Sequence, residues 1–178
     1  MAGSGRIATP AGRTARGPFD SLEQEAYLQL WRTFDRLREI DEKLFASHGL
    51  SAQQYNALRV LRAAFPRRLA TSALGARLVS RAPDMTRLLD KLESQGLVQR
   101  CRSRENRRLV EVSITSGGRA LVDRLAAAVR RCGRDQLGHL DRVSLRRLIH
   151  LLVRARDPHD RDAADAWPGA RPVSGSGT

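Results

Sequence analysis

The apolar residues of this chain recur every three or four positions along most of its length, and in one place they switch to every second position. The switch falls directly after two short helical patterns separated by a tight turn. "TSALGARLV" and "SRAPDMTRLLDKLESQGL" carry their apolar residues at helical spacing. The first helix is expected from Thr71 to Leu78, with Thr71 or Ser72 as its cap and Gly75 letting a neighbour approach closely. The second is expected from Pro83 to Gln95. Pro83 lies in its first turn, where a missing N–H costs nothing, and Gly96 is its stop signal. Met85, Leu88, Leu89 and Leu92 make its buried stripe. "LVEVSIT" then alternates, with Val110, Val112 and Ile114 on one face and Leu109, Glu111 and Ser113 on the other. Val98 to Arg104 is also expected to be extended, with Glu105 and Asn106 at the turn between the strands. Helix, turn around Val79–Ala82, helix and β-hairpin is the plan of a winged helix-turn-helix.

Longer helices flank this unit. Ser21 and Gln24 have the spacing of a capping box. Leu22, Ala26, Leu30, Phe34, Leu37, Ile40 and Leu44 then follow at helical steps until Gly49. Ser51 and Gln54 repeat the box before a second helix, in which Leu58 and Leu61 face inward and which Pro66 ends. After Thr115 the period returns to helical through "SGGRALVDRLAAAVRRCGRDQLGHL" and "DRVSLRRLIHLLVRAR". Trp31, Phe34 and Tyr55 read as core and interface aromatics. The fold class is therefore mainly α with a small β wing. Residues 1–20 and 157–178, rich in Gly, Ala, Pro and Ser, read as disordered tails around one domain at 21–156.

The chain has 178 residues and a formal net charge of +13, which suits a polyanionic partner. All but two of its 32 basic residues (Lys43 and Lys91) are arginine, a skew that partly reflects base composition. Its two cysteines, Cys101 and Cys132, form no metal or disulfide pattern, so a reducing, cytoplasmic setting is expected. His48, His139, His150 and His159 lack metal-ligand spacing. No nucleophile elbow, Walker or dinucleotide motif occurs, so neither an enzyme nor a cofactor is expected. No apolar stretch approaches a membrane span, and no membrane partner is expected.

"QRCRSRENRRLVEV" crowds five arginines between Arg100 and Arg108. On a wing, Arg102, Arg104, Arg107 and Arg108 can follow phosphates or enter a minor groove. With the apolar stripe of the second helix turned inward, Arg81, Ala82, Asp84, Thr86 and Arg87 face outward near the end that enters a major groove. There Arg can bond guanine, Asp can accept from cytosine and Thr can touch a thymine methyl. The helix start at Thr71 and Ser72 suits a phosphate.

From about Leu28 to Leu152 the chain resembles the MarR family of bacterial transcription regulators. "GLSAQQYNALRVLR", "PDMTRLLDKLESQGLVQR" and "RENRRLVEVSITSGGRAL" are similar to that family's second helix, recognition helix and wing. The family's Asp-x-Arg wing pattern and its strand end correspond to Asn106, Arg108, Ile114, Thr115 and Gly118, with Asn106 standing where the family has Asp. The resemblance implies a homodimer that binds double-stranded DNA at a pseudo-palindromic operator. It further implies a repressor released by a small phenolic or lipophilic effector, whose binding residues no motif fixes. Dimerisation would use the helices at 21–48 and 116–156, with Leu22, Ala26, Leu30, Leu125, Val129, Leu148 and Leu152 at the interface. The DNA-binding lobe would span 51–115. The alternatives are a redox-responsive regulator using Cys101 or Cys132, and a winged helix serving as a non-specific architectural DNA binder or a protein-interaction module. Outward groups at 81–87 suited to base contacts favour a sequence reader over the latter two.

Overall fold

The structure is a computed structural model, and it describes residues 19–79, 84–102 and 109–160. In chain order the elements are α1 (Leu22–Ala46), α2 (Ala52–Ala64), β1 (Leu69–Ala70), α3 (Thr71–Ala76) and α4 (Met85–Ser94). They continue with β2 (Val98–Arg102), β3 (Val110–Ile114), α5 (Ser116–Leu137) and α6 (Arg142–Arg156). Mostly helical, with one small antiparallel sheet, the fold is a winged helix-turn-helix.

The chain divides into two compact units at Arg38 and Glu39, within α1. In the first unit the Ser21 hydroxyl accepts from the Gln24 amide at 3.1 Å, which fixes the start of α1. Along this part of the helix Leu22, Tyr27, Leu28, Leu30, Trp31 and Phe34 are exposed, and the rings of Tyr27 and Trp31 lie 6.0 Å apart.

The second unit holds the core. α1 ends where Gly49 takes φ +69°, a backbone state that side-chain-bearing residues rarely adopt. α2 opens with the expected capping box: Ser51 Oγ accepts from the Gln54 amide at 3.2 Å, and Gln54 Oε1 accepts from the Ser51 amide at 2.8 Å. Its inner face, Tyr55, Leu58 and Leu61, packs in one cluster with Leu74, Leu89, Leu92, Val98, Val112 and Leu125. Phe45 stacks on Tyr55 with ring centres 4.5 Å apart. The core is aliphatic apart from this pair, as the scarcity of aromatics requires.

The sheet order is β1-β3-β2. Val98 opposes Ile114, Arg100 opposes Val112 and Arg102 opposes Val110, so those six share one face. β1 is a third strand that the hydrophobic pattern did not reveal, since two residues cannot display a period. Its Leu69 opposes Val112.

Several local expectations change. α3 ends at Ala76 rather than Leu78, and neither Thr71 nor Ser72 caps it: the N-cap is Ala70. Thr71 Oγ1 donates instead to the Val110 carbonyl at 3.0 Å, tying α3 to β3. α4 begins at Met85 with Asp84 as N-cap, so Pro83 precedes the helix and lies outside the described residues. Asp157–His159, expected to open the C-terminal tail, form a turn of 3-10 helix, and residues 161–178 lie outside the described residues.

Candidate nucleic-acid interface

α4 is held from both ends. At its N-terminus Asp84 Oδ1 accepts from the Arg87 amide at 2.9 Å, so the carboxylate satisfies a free backbone donor and sits at the positive end of the helix. At its C-terminus Gly96 takes φ +67°, and its amide donates to the Glu93 carbonyl at 2.8 Å. Thr115 joins this end to the next helix. Its hydroxyl donates to the Gly96 carbonyl at 2.7 Å and accepts from the Gly118 amide at 3.0 Å, capping α5. Leu88, Leu89 and Leu92 are buried and fix the rotation of the helix. Asp84, Thr86 and Arg87 are left on the exposed side, as their spacing predicted.

Asp84 and Arg87 do not face solvent independently. Arg87 Nε lies 3.0 Å from Asp84 Oδ2, while the Arg87 side chain stays 89% exposed. Both oxygens of Asp84 are thus committed to Arg87, one to its amide and one to its guanidinium. Sequence spacing placed both residues on this face but gave no sign of the pairing.

Arg100 belongs by sequence to the arginine cluster, yet it turns back onto α4. Its amide and Nε donate to the Glu93 carboxylate at 2.9 Å each, its Nη2 donates to the same carboxylate at 2.7 Å, and Nη2 also reaches Asp90. The guanidinium holds the Glu93 carboxyl below the usual carboxylate range, and Glu93 in turn raises the Arg100 pKa. Arg100 is therefore a clamp between β2 and α4, and it offsets the charge of two carboxylates on that helix. Arg102 is exposed at the far end of β2. Arg104, Asn106, Arg107 and Arg108 of the wing, and Arg81 and Ala82 before α4, lie outside the described residues. Thr71 is half-buried with its hydroxyl engaged by β3, while Ser72 is exposed at the start of α3.

Of the residues expected at a dimer interface, Leu22, Ala26, Leu30 and Leu152 are exposed, and Val129 and Leu148 are half-buried. Leu125 does not belong with them. It is 1% exposed within the chain's own core and has no surface left to offer a partner. α6 has no buried residue, and Val143, Ile149 and Leu151 add to its open apolar surface.

The cysteines differ in setting. Cys132 is buried, and its thiol faces Asp41 Oδ1 at 3.3 Å, an oxygen that also accepts from Gln136 Nε2 at 2.9 Å. Burial, and then the Asp41 carboxylate, push the Cys132 thiol up to about 11, so it is poorly suited to oxidant sensing. Cys101 is half-buried, and Arg68 Nη1 donates to its sulfur. Among the described residues no cluster of His, Cys, Asp or Glu could hold a metal ion, and no helix is long and apolar enough to cross a membrane.

Known proteins share this arrangement. A family model described as "MarR family" matches residues 48–109, the stretch between the end of α1 and the first residue of β3. The chain is 52% identical to a MarR transcription factor of Planctomyces limnophilus of known structure, over 75% of this chain and 97% of that one, with a TM-score of 0.61. BpsR of Bordetella bronchiseptica, solved to explain how 6-hydroxynicotinic acid regulates its DNA binding, is 23% identical and shares the fold. It covers 82% of this chain and 100% of its own, with a TM-score of 0.69. The HTH-type transcriptional regulator PapX of Escherichia coli is 29% identical over 97 residues, and the match spans 54% of this chain but only 59% of PapX.

Proposed function

The chain belongs to the MarR family of DNA-binding transcription regulators, and from that premise we propose that it acts as a ligand-responsive repressor, bound as a homodimer to a pseudo-palindromic operator. The observation that carries this reading is the recognition helix. α4 buries Leu88, Leu89 and Leu92, is fixed at both ends by side-chain bonds and presents Thr86 and Arg87 outward, directly before a wing crowded with arginine. An interaction module would need no such set.

In this reading α4 enters the major groove. Thr86, Arg87, Asp84, Arg81 and Ala82 line it, and Ser72 and Thr71 lie near a phosphate at the start of α3. The wing residues Arg102, Arg104, Asn106, Arg107 and Arg108 follow the backbone and the adjacent minor groove. The DNA-binding lobe is 51–115, and the helices at 21–48 and 116–156 dimerise. The open apolar residues Leu22, Leu30, Ile149, Leu151 and Leu152 support that assignment, because isolated chains rarely leave so many large apolar side chains uncovered. A two-fold dimer sets its recognition helices about one DNA turn apart. The effector is a small aromatic or lipophilic molecule. BpsR, which shares the fold and responds to an aromatic acid, supports that class.

Titration of a selected duplex tests the contacts. Arg108→Ala is expected to weaken binding and to reduce the salt slope by about one. Arg87→Ala is expected to change which base pairs are preferred. Isotherms unchanged in both variants would overturn the contact assignment.

A further inference from the structure

We propose that Asp84 is a positioning residue for Arg87, not a reader of bases, and that the pair recognises a guanine at one fixed place in each half-site. The inference rests on the sequence-reading function above and specifies which side chain reads. Asp84 Oδ1 accepts from the Arg87 amide at 2.9 Å, and Oδ2 forms an ion pair with the Arg87 guanidinium, 3.0 Å from Nε. Both oxygens of the carboxylate are therefore engaged with Arg87, one with its amide and one with its guanidinium. The ion pair lies at Nε and the Arg87 side chain remains 89% exposed, so the end-on edge between the two terminal nitrogens stays open. That edge carries two parallel N–H donors, the pattern that matches O6 and N7 of guanine in the major groove.

Two consequences follow from charge. In water an exposed pair of this kind is weak, but it gains strength when DNA excludes water from around it. The carboxylate also offsets the charge of Arg87, so the arginine gains less from a phosphate and is kept for the base. Asp84 thereby trades general affinity for discrimination.

The test separates this role from the helix cap. Asn caps a helix as well as Asp does, so Asp84→Asn keeps α4 intact while weakening the hold on Arg87. A duplex is selected from a randomised pool by the full-length wild-type protein, and each base pair of one half-site is then replaced in turn. Wild type is expected to lose about tenfold in affinity at one G·C pair, and Arg87→Ala to abolish that loss. Asp84→Asn is expected to cut the loss at the same pair to about threefold, with a melting temperature lowered by no more than about 3 °C, since the cap is kept and only its charge is lost. Its binding to a scrambled duplex should rise a few-fold, with a steeper salt slope, as Arg87 moves to a phosphate. In the Arg87→Ala background Asp84→Asn should leave the discrimination profile unchanged. The proposal is overturned if Asp84→Asn keeps the wild-type profile, or if it alters a different base pair from Arg87→Ala. If wild type itself prefers no duplex, the failure is that of the sequence-specific function and not of this pair alone.

Discussion

Replacing Arg100 by Ala removes the clamp between the wing and the recognition helix, and the structure sets how much that costs. The side chain donates to Glu93 through Nε and Nη2 and to Asp90 through Nη2. Exposed ion pairs contribute only about 0.2–1 kcal/mol, and hydrogen bonds to charged groups about 1.5–3 kcal/mol when solvent is partly excluded. Arg100 is 27% exposed, Glu93 37% and Asp90 53%, which places the clamp between those limits, at about 2 kcal/mol. Its loss also leaves two carboxylates three residues apart on one helix face, which adds a few tenths of a kcal/mol. For a domain of this size the melting temperature should fall by about 6 °C at neutral pH. The cost should depend on pH. Glu93 has its pKa lowered in the folded state, so its contribution is present above the unfolded carboxylate value, near 4.3, and is lost as pH falls through the folded value. The gap between wild type and Arg100→Ala should therefore be full at pH 7 and shrink below about pH 4. Circular dichroism melts across that range, with exposed Arg102→Ala as control, measure it. An Arg100→Ala shift no larger than that of Arg102→Ala, or a gap that persists undiminished in acid, would refute the reasoning.

Two other perturbations are equally direct. A Cβ on Gly118 would lie 2.2 Å from the Leu97 carbonyl oxygen and 2.7 Å from Ile114 Cγ1, so Gly118→Ala should lower the urea midpoint despite a helix-propensity gain of about 1 kcal/mol; a raised midpoint would contradict the packing. Cys132, with its thiol at about 11, should be roughly one part in a thousand thiolate at pH 8, so peptide mass spectrometry after iodoacetamide should find it unmodified in folded protein, and rapid labelling would contradict its burial.

Much of the fold was legible because its signals are local. Ser51 and Gln54 announce their helix by spacing alone, Gly49 and Gly96 mark stops that need positive φ, and the alternation of Val110, Val112 and Ile114 is visible without partners. Contacts between distant residues were not. Nothing in "QRCRSRENRR" distinguishes Arg100 from its neighbours, because Glu93 and Asp90 meet it only once β2 folds back along α4. Thr71 satisfied the composition of a cap, but β3 offers its hydroxyl a carbonyl across the sheet. Leu125 sits on an apolar stripe broad enough to serve a core or an interface, and only the packing of α5 onto α2 assigns it to the core. The outward position of Asp84, Thr86 and Arg87 followed from periodicity, whereas the mutual hold of Asp84 and Arg87 is a matter of side-chain rotamers.

The proposed function requires sequence-specific binding by a dimer. It is tested most directly by fluorescence anisotropy of the purified protein on the DNA upstream of its own coding sequence and on a scrambled duplex. Titrations should be made at about 0.15 M salt and across a salt series. Tight binding to the first duplex alone, saturating at one dimer per site, is the predicted result. Equal and weak binding to both, vanishing as salt rises, would mean that the arginines supply only non-specific attraction, and would contradict it.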